Sequence, residues 1–211
     1  MLSDRPDVAA VCAGLKEQNA DQILAVRVQA SPTAAKRIVD LTRDGVEVLH
    51  LVFDAHGREN ALSNPRHARD VLRQVHTALV KEGLRDQVTL IASGGIAQAE
   101  HMAKAIICGA DLVAIDVPLM IALECRLCGE CDRGEPCPVA MDTIDPAFAV
   151  NRMVNLMGAW HSQVLEMLGA MGIREVRRLR GEVGRCMFFE DLEREIFSPL
   201  FGTRKKETLT I

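Results

Sequence analysis

Up to about residue 120, short apolar runs alternate with longer stretches that are apolar on one side only. "ILAVRVQA" (Ile23 to Ala30), "VEVLHLVF" (Val46 to Phe53), "QVTLIAS" (Gln87 to Ser93) and "ADLVAIDV" (Ala110 to Val117) are rich in Val and Ile and have the length of buried strands. Helical patterns separate them. In "SPTAAKRIVDLTRDG" Ser31 can cap a helix, Pro32 suits its first position and Gly45 ends it. From Pro65 to Gly83 the apolar residues Val71, Leu72, Val75, Leu79 and Val80 fall on one helical face, and "GGIAQAEHMAKAIICG" continues the alternation up to Gly109.

Four successive strand-helix units predict a parallel α/β sheet with right-handed crossovers, either doubly wound or part of a barrel. A complete (β/α) barrel typically takes about 250 residues. The expectation is therefore a TIM-barrel-like half-barrel over residues 1–122, followed by a cysteine-rich loop at 123–145 and a helical region with a tail at 146–211.

The helical region opens with Asp145 as N-cap and Pro146 at the first helical position. Ala149, Met153, Leu156, Met157, Trp160, Val164, Leu168 and Met171 then recur at helical spacing, which predicts a core-facing stripe. Arg174, Arg177, Arg178, Arg180 and Arg185 alternate with Glu175 and Glu182, a pattern that permits ion pairs along a solvated helix face. The tail "TRKKETLTI" is polar.

A formal net charge of −4 gives no overall basic field of the kind that nucleic acid or an anionic membrane requires. The most apolar run is interrupted by Asp116 and Pro118, and no positive segment precedes an apolar one at the N-terminus. Neither export nor a membrane span is predicted, so a cytoplasmic protein with reduced thiols is the expectation. In that setting clustered cysteines point to metal rather than to disulfides.

The cluster is "ECRLCGECDRGEPCPVAM": Cys125, Cys128, Cys131 and Cys137, spaced C-x2-C-x2-C-x5-C, with Pro138 following the last. Closely spaced thiolates ending in Cys-Pro are a recurrent way of wrapping a chain around an iron–sulfur cubane. Four thiolates also satisfy a tetrahedral zinc ion, although structural zinc sites usually separate their two cysteine pairs more widely. Cys12, Cys108 and Cys186 are scattered, and Cys108 reads as a small core hydrophobe. The iron–sulfur reading thus assigns all four clustered thiols to one 4Fe-4S centre, with Gly129 and Gly134 allowing tight turns around it.

In parallel α/β folds, ligands bind at the carboxyl ends of the strands. Those ends carry Arg27 and Gln29, Asp54 and His56, Ser93-Gly94-Gly95, and Asp116 with Pro118. A Gly-Gly between strand and helix can present backbone N–H groups to a phosphate, or can simply form a tight turn. His56 reads as a polar turn residue or as a proton donor. Arg27, a charge within an apolar strand, calls for an anionic ligand or a buried carboxylate.

"LIASGGIAQAEHMAKAIICGADLVAID", "PLMIALEC" and "CPVAM" together resemble the FMN-binding, iron–sulfur domain of the glutamate synthase large subunit, in the C-terminal half of its barrel, over residues 20 to 175. The resemblance implies a flavin phosphate at Gly94 and Gly95, preceded by Ser93, cluster ligands at Cys125, Cys131 and Cys137, and Arg27 at the place of an active-site lysine. Three departures stand out. The family's C-x5-C-x4-C holds a 3Fe-4S centre, whereas here Cys128 is inserted and the last gap is five residues, which argues for a fourth iron. The family's "HDGGTG" loop is replaced by "FDAHGRENALSN", and Asp116 stands in the loop after the last strand.

The expectation is an oxidoreductase module passing electrons between a 4Fe-4S cluster and FMN. Its barrel would be completed by another half-barrel chain, a second copy or a preceding region. Its redox partner would be a ferredoxin or an NAD(P)H-oxidising subunit. The alternatives are an iron–sulfur electron-transfer or assembly subunit without flavin, favoured by the missing Gly-rich loop, and a zinc-stabilised structural module.

Overall fold

The computed structural model describes residues 1–60, 63–185 and 193–202. Cys186, the side chain of Arg185 and the polar tail lie outside the described residues. Five parallel strands, β1 (Leu2–Ser3), β2 (Ala25–Gln29), β3 (Val48–Val52), β4 (Thr89–Ser93) and β5 (Leu112–Ala114), lie side by side in sequence order. That order never reverses, as a doubly wound sheet must, so the sheet follows a barrel wall.

Helices α1 (Val8–Gln18), α2 (Ala34–Arg43), α3 (Ala68–Lys81) and α4 (Ala99–Ile107) connect the strands, and the short α5 (Val117–Ala122) follows β5. The sequence pattern predicts four units; the structure corrects this by adding a strand and helix in front. β1 is two residues long and α1 buries only Val8 and Cys12, so neither carries a readable periodicity. Helix α2 also begins later than the Ser31 cap suggests, at Ala34, with Ser31 and Thr33 hydrogen-bonded to each other through their hydroxyls.

The two faces of the sheet differ. Val26, Val28, Leu49, Leu51, Leu90 and Ala92 are buried against Ile38, Leu41, Val71, Leu72, Val75 and Leu79 of the helices, forming the main core. The opposite face carries two register rows, Arg27–His50–Ile91–Leu112 and Gln29–Val52–Ser93–Ala114. In a closed barrel this face would be the interior; here Arg27 and Gln29 are exposed and Leu112 is 53% exposed.

At the amino end of the strands a buried ionic knot holds the floor. Arg85, 5% exposed, donates to Asp111 Oδ2 (2.7 Å), Gly109 O (2.8 Å), Val88 O (3.0 Å) and His76 Nδ1 (3.2 Å). Arg180 reaches the other oxygen of Asp111 at 2.6 Å and Asp86 at 2.9 Å. The arginine-rich segment is thus a 3-10 turn (Val176–Leu179) rather than a longer helix: Arg174, Arg177 and Arg178 are solvated as expected, with Arg177 paired to Glu175 at 2.7 Å, while Arg180 is clamped to the barrel floor. Gly109 is at φ +121°, and a Cβ there would fall 2.4 Å from His76.

Helix α6 (Pro146–Ala170) starts as predicted, with Asp145 accepting from Phe148 N at 3.0 Å. It packs on α4 and α5, burying Ala149, Trp160 and Leu168 and half-burying Met153, Leu156, Val164 and Met171. Met157, expected in the same stripe, is instead exposed. Among the described residues no helix is long and apolar enough to cross a membrane.

Candidate functional site

Strand β4 delivers Ser93 to the carboxyl end of the sheet, and the chain turns through Gly94 (φ +95°) and Gly95 (φ +71°). A Cβ on Gly94 would stand 2.5 Å from Phe53 O, and one on Gly95 2.5 Å from the backbone of Gly57. The pair is therefore glycine first because the β3–α3 loop lies directly against it. The N–H groups of Gly94, Gly95 and Ile96 have no hydrogen-bond acceptor among the described residues, which leaves three adjacent donors for an anion. The donor set fits a phosphate.

The β3–α3 loop is itself built on polar side chains. Asp54 Oδ1 accepts from the backbone N–H groups of His56 (2.9 Å) and Arg58 (2.8 Å), so His56 belongs to a tight turn. Glu59, 2% exposed, is gripped by Arg66 through its backbone N–H and two guanidinium nitrogens, which hold its carboxyl below the usual carboxylate range. Asn60 then folds the loop over the mouth, donating to Gln29 Oε1 and Val52 O, both at 2.9 Å.

On the open face, Arg27 has neither an ion-pair nor a hydrogen-bond partner for its guanidinium among the described residues, and it is exposed, so the buried carboxylate expected for it is not there. Its register neighbour His50 is 8% exposed, with Nε2 2.8 Å from Ser93 Oγ and Nδ1 3.4 Å from Met1 Sδ. Burial, and then the charge of Arg27, push the His50 imidazole below the usual histidine range. A neutral imidazole bonded to a hydroxyl can take either end of that hydrogen bond and can pass a proton through it. Sequence reasoning missed His50. The available signal was a histidine standing inside an apolar strand run, "VEVLHLVF".

The cysteine loop leaves the same end of the sheet. Asp116 caps α5 by accepting from Val117 N at 2.6 Å, which accounts for a carboxylate in that loop. Beyond α5, Cys125, Cys128, Cys131 and Cys137 all line a single cleft of about 640 Å³, together with Asp116, Met120, Leu127 and Met141. Cys125 and Cys137 are half-buried and the other two exposed, all with free thiols. The four share a cleft but are not drawn together: among the described residues no group of three or more His, Cys, Asp or Glu side chains is close enough to hold an ion.

The backbone here is unusual in one respect. Glu124 (φ +70°), Leu127 (φ +52°) and Ala140 (φ +50°) are the only non-glycine residues at positive φ among the described residues, and Gly129 and Gly134 add two more such turns. Such conformations cost energy and gather at ligand sites, where they turn successive N–H groups inward. One already does so, since Leu127 N donates to Cys125 Sγ at 3.4 Å. A loop so turned, with four thiols facing one cleft, has the chemistry to hold an iron–sulfur cluster.

Among solved structures, a flavocytochrome b2 double mutant with pyruvate bound superposes with a TM-score of 0.57 at 17% identity, covering 96% of this chain and 45% of that one. A mandelate oxidase mutant with a monooxide FMN adduct gives 0.54 at 18%, covering 82% and 43%. At these identities the likeness shows the fold, an α/β barrel wall. Two curated relatives are archaeal NADPH glutamate synthases. That of Methanocaldococcus jannaschii is 40% identical over 53% of this chain, and that of Archaeoglobus fulgidus 30% over 90%. The matched segments span 23% and 40% of those proteins, so the chain corresponds to less than half their length. The model of the conserved region in glutamate synthase matches residues 68–174, from α3 through the Gly-Gly turn and the four cysteines to the end of α6, and on that match the chain belongs to the glutamate synthase family.

Proposed function

We propose that this chain is the cluster-bearing half-barrel of a glutamate synthase-like oxidoreductase, in which Cys125, Cys128, Cys131 and Cys137 hold a 4Fe-4S centre and the mouth of the sheet holds FMN. The observation that carries the reading is the convergence of all four cysteines on one cleft that opens off the carboxyl end of β5, the same end as the Gly94–Gly95 turn. The family match runs through both features.

The N–H groups of Gly94, Gly95 and Ile96 would bind the flavin phosphate, and Ser93, held by His50, would stand beside it with Arg27 on the open face. Bound there, a flavin supplies interconversion between one-electron and two-electron chemistry, while the cluster handles single electrons. His50 keeps Ser93 oriented. The open row Arg27–His50–Ile91–Leu112 calls for a second set of strands, from another chain or from further sequence, to exclude water from the site. The source of electrons would be a ferredoxin or an NAD(P)H-oxidising subunit.

The test is purification without oxygen, followed by iron, sulfide, zinc and flavin analysis with visible and electron paramagnetic resonance spectra. About four irons per chain, falling when Cys128 is replaced by serine, supports the cluster; zinc in place of iron ends the redox reading. FMN recovered with the protein supports the second cofactor. Iron without flavin leaves an electron-transfer subunit.

A further inference from the structure

We infer that the cysteine loop is the docking face for a protein electron carrier whose own docking surface is basic. The inference rests on the cluster reading above and adds the chemistry of the partner. Residues 124–145 carry six carboxylates, Glu124, Glu130, Asp132, Glu135, Asp142 and Asp145, against two guanidiniums, Arg126 and Arg133. Their net charge of −4 equals that of the whole chain, so the other 189 residues are balanced and the excess is concentrated here.

The charge is on the surface. All six carboxylate residues but Glu130 are exposed, and Glu130 is paired with Arg133 at 2.6 Å. Asp116, Asp132 and Asp142 border the cleft that holds the thiols, with Arg126 the single cation beside them. Four thiolates around an iron–sulfur core would leave the centre negative as well, and among the described residues no other basic side chain lines the cleft.

Within this acidic surround lie large, partly exposed apolar side chains that line the cleft, Met120 at 37% exposed and Leu127 at 50%. An apolar centre with a charged rim is the anatomy of a protein–protein contact rather than of a small-ion site. Charge of one sign around a one-electron centre speeds encounter with a carrier of the opposite sign and repels carriers of the same sign. A cluster held by the four thiolates would exchange one electron with the carrier's centre, the one oxidised as the other is reduced, with no bond made or broken. Of the two electron sources proposed above, an acidic ferredoxin is therefore disfavoured at this face, which leaves the NAD(P)H-oxidising subunit or a ferredoxin with a basic docking surface.

The experiment is a calorimetric titration of the full chain, cluster-loaded and cluster-free, with ferricytochrome c as a basic probe and an acidic plant-type ferredoxin as its opposite. The expected result is binding of cytochrome c at low salt that weakens ~tenfold or more between about 20 and about 200 mM salt. A triple variant, Asp132→Asn with Glu135→Gln and Asp142→Asn, should lose ~tenfold in affinity, and a control with the same charge change elsewhere, Glu17→Gln with Asp21→Asn and Glu166→Gln, less than ~twofold. Absence of cytochrome c binding, equal losses in the two variants, or tighter binding of the ferredoxin would overturn the inference. Iron content, measured on the same samples, judges the cluster reading separately: a chain that binds cytochrome c through these carboxylates but takes up no iron keeps the docking face and loses the cluster.

Discussion

The half-barrel and the cysteine loop are held together by different means. Every strand from β2 to β4 has two buried apolar side chains on its helix-facing side, and the floor is fixed by the Arg85–Asp111–Arg180 knot. By contrast, no residue between Pro118 and Ala149 is fully buried. The loop has no apolar core, three non-glycine residues at positive φ and few long-range hydrogen bonds. Burial of apolar area is the main source of folding free energy, so the loop's conformation has to be secured by something other than packing. A cluster bonded to four points of the chain would do so, since metal binding energy is folding energy in such segments.

Four experiments would break or sharpen that contrast. The largest effect is expected for Gly94→Val, which places a branched side chain at φ +95° and 2.5 Å from Phe53 O. Urea unfolding should show a loss of about 4 kcal/mol or failure to fold, whether or not iron is present; a stable variant would mean that the Gly94 turn can move away from the neighbouring loop. Flavin loss in this variant would therefore not diagnose phosphate binding.

Next is Asp111→Ala, which leaves Arg85 buried without its carboxylate and leaves Arg180 paired with Asp86 alone. A loss of about 3 kcal/mol is expected, with amide exchange rising in residues 176–183 before it rises in the strands. Exchange unchanged in that segment would show that the clamp is not what holds it. On the proposed cluster reading a smaller effect should follow removal of iron: proteolysis within residues 124–145 should accelerate ~tenfold while the unfolding of the half-barrel is unaltered. If both regions loosened together, the contrast between them would fail.

The smallest effect is acid sensitivity. His50 is pushed below the usual histidine range by burial and then Arg27, and His76 by burial and then Arg85 and Arg180, with Asp111 opposing. For a base with a depressed folded pKa, the unfolded chain takes up protons first. The stabilisation is thus complete above about pH 6.5 and is lost as pH falls through the lower folded values. Urea midpoints should decline from pH 7 toward pH 5, and His50→Gln should flatten part of the decline; an identical pH profile in the variant would remove His50 from the account.

The same contrast explains what could be read from the sequence. Runs such as Val46 to Phe53 announce their strand because burial on both sides demands continuous apolar residues, and Asp145-Pro146 announces its helix because an N-cap is a local device. The four cysteines were legible by spacing alone. What was hidden depends on residues far apart in the chain: Arg180 on Asp111, Asn60 on Gln29, His50 on Ser93. β1 was hidden because a two-residue edge strand is defined by its neighbour rather than by its own pattern. Gly94–Gly95 was found but half understood, since the close approach of Phe53 and Gly57 requires glycine there irrespective of any phosphate.

The Arg180 clamp also bears on chain length. It anchors residue 180 to Asp111 at the foot of β5, and Gly181 N donates to Ile107 O at 3.1 Å nearby. Everything from β5 to residue 180, including the cysteine loop and α6, is therefore one long excursion pinned at both ends to the same corner of the barrel. The entropy of closing such an excursion grows only as the logarithm of its length, about 0.6 kcal/mol for each doubling. Residues could be added to or removed from the exposed stretch after Cys137 at little thermodynamic cost to the barrel. A fold arranged this way can exchange one cysteine-bearing segment for another while keeping its sheet intact.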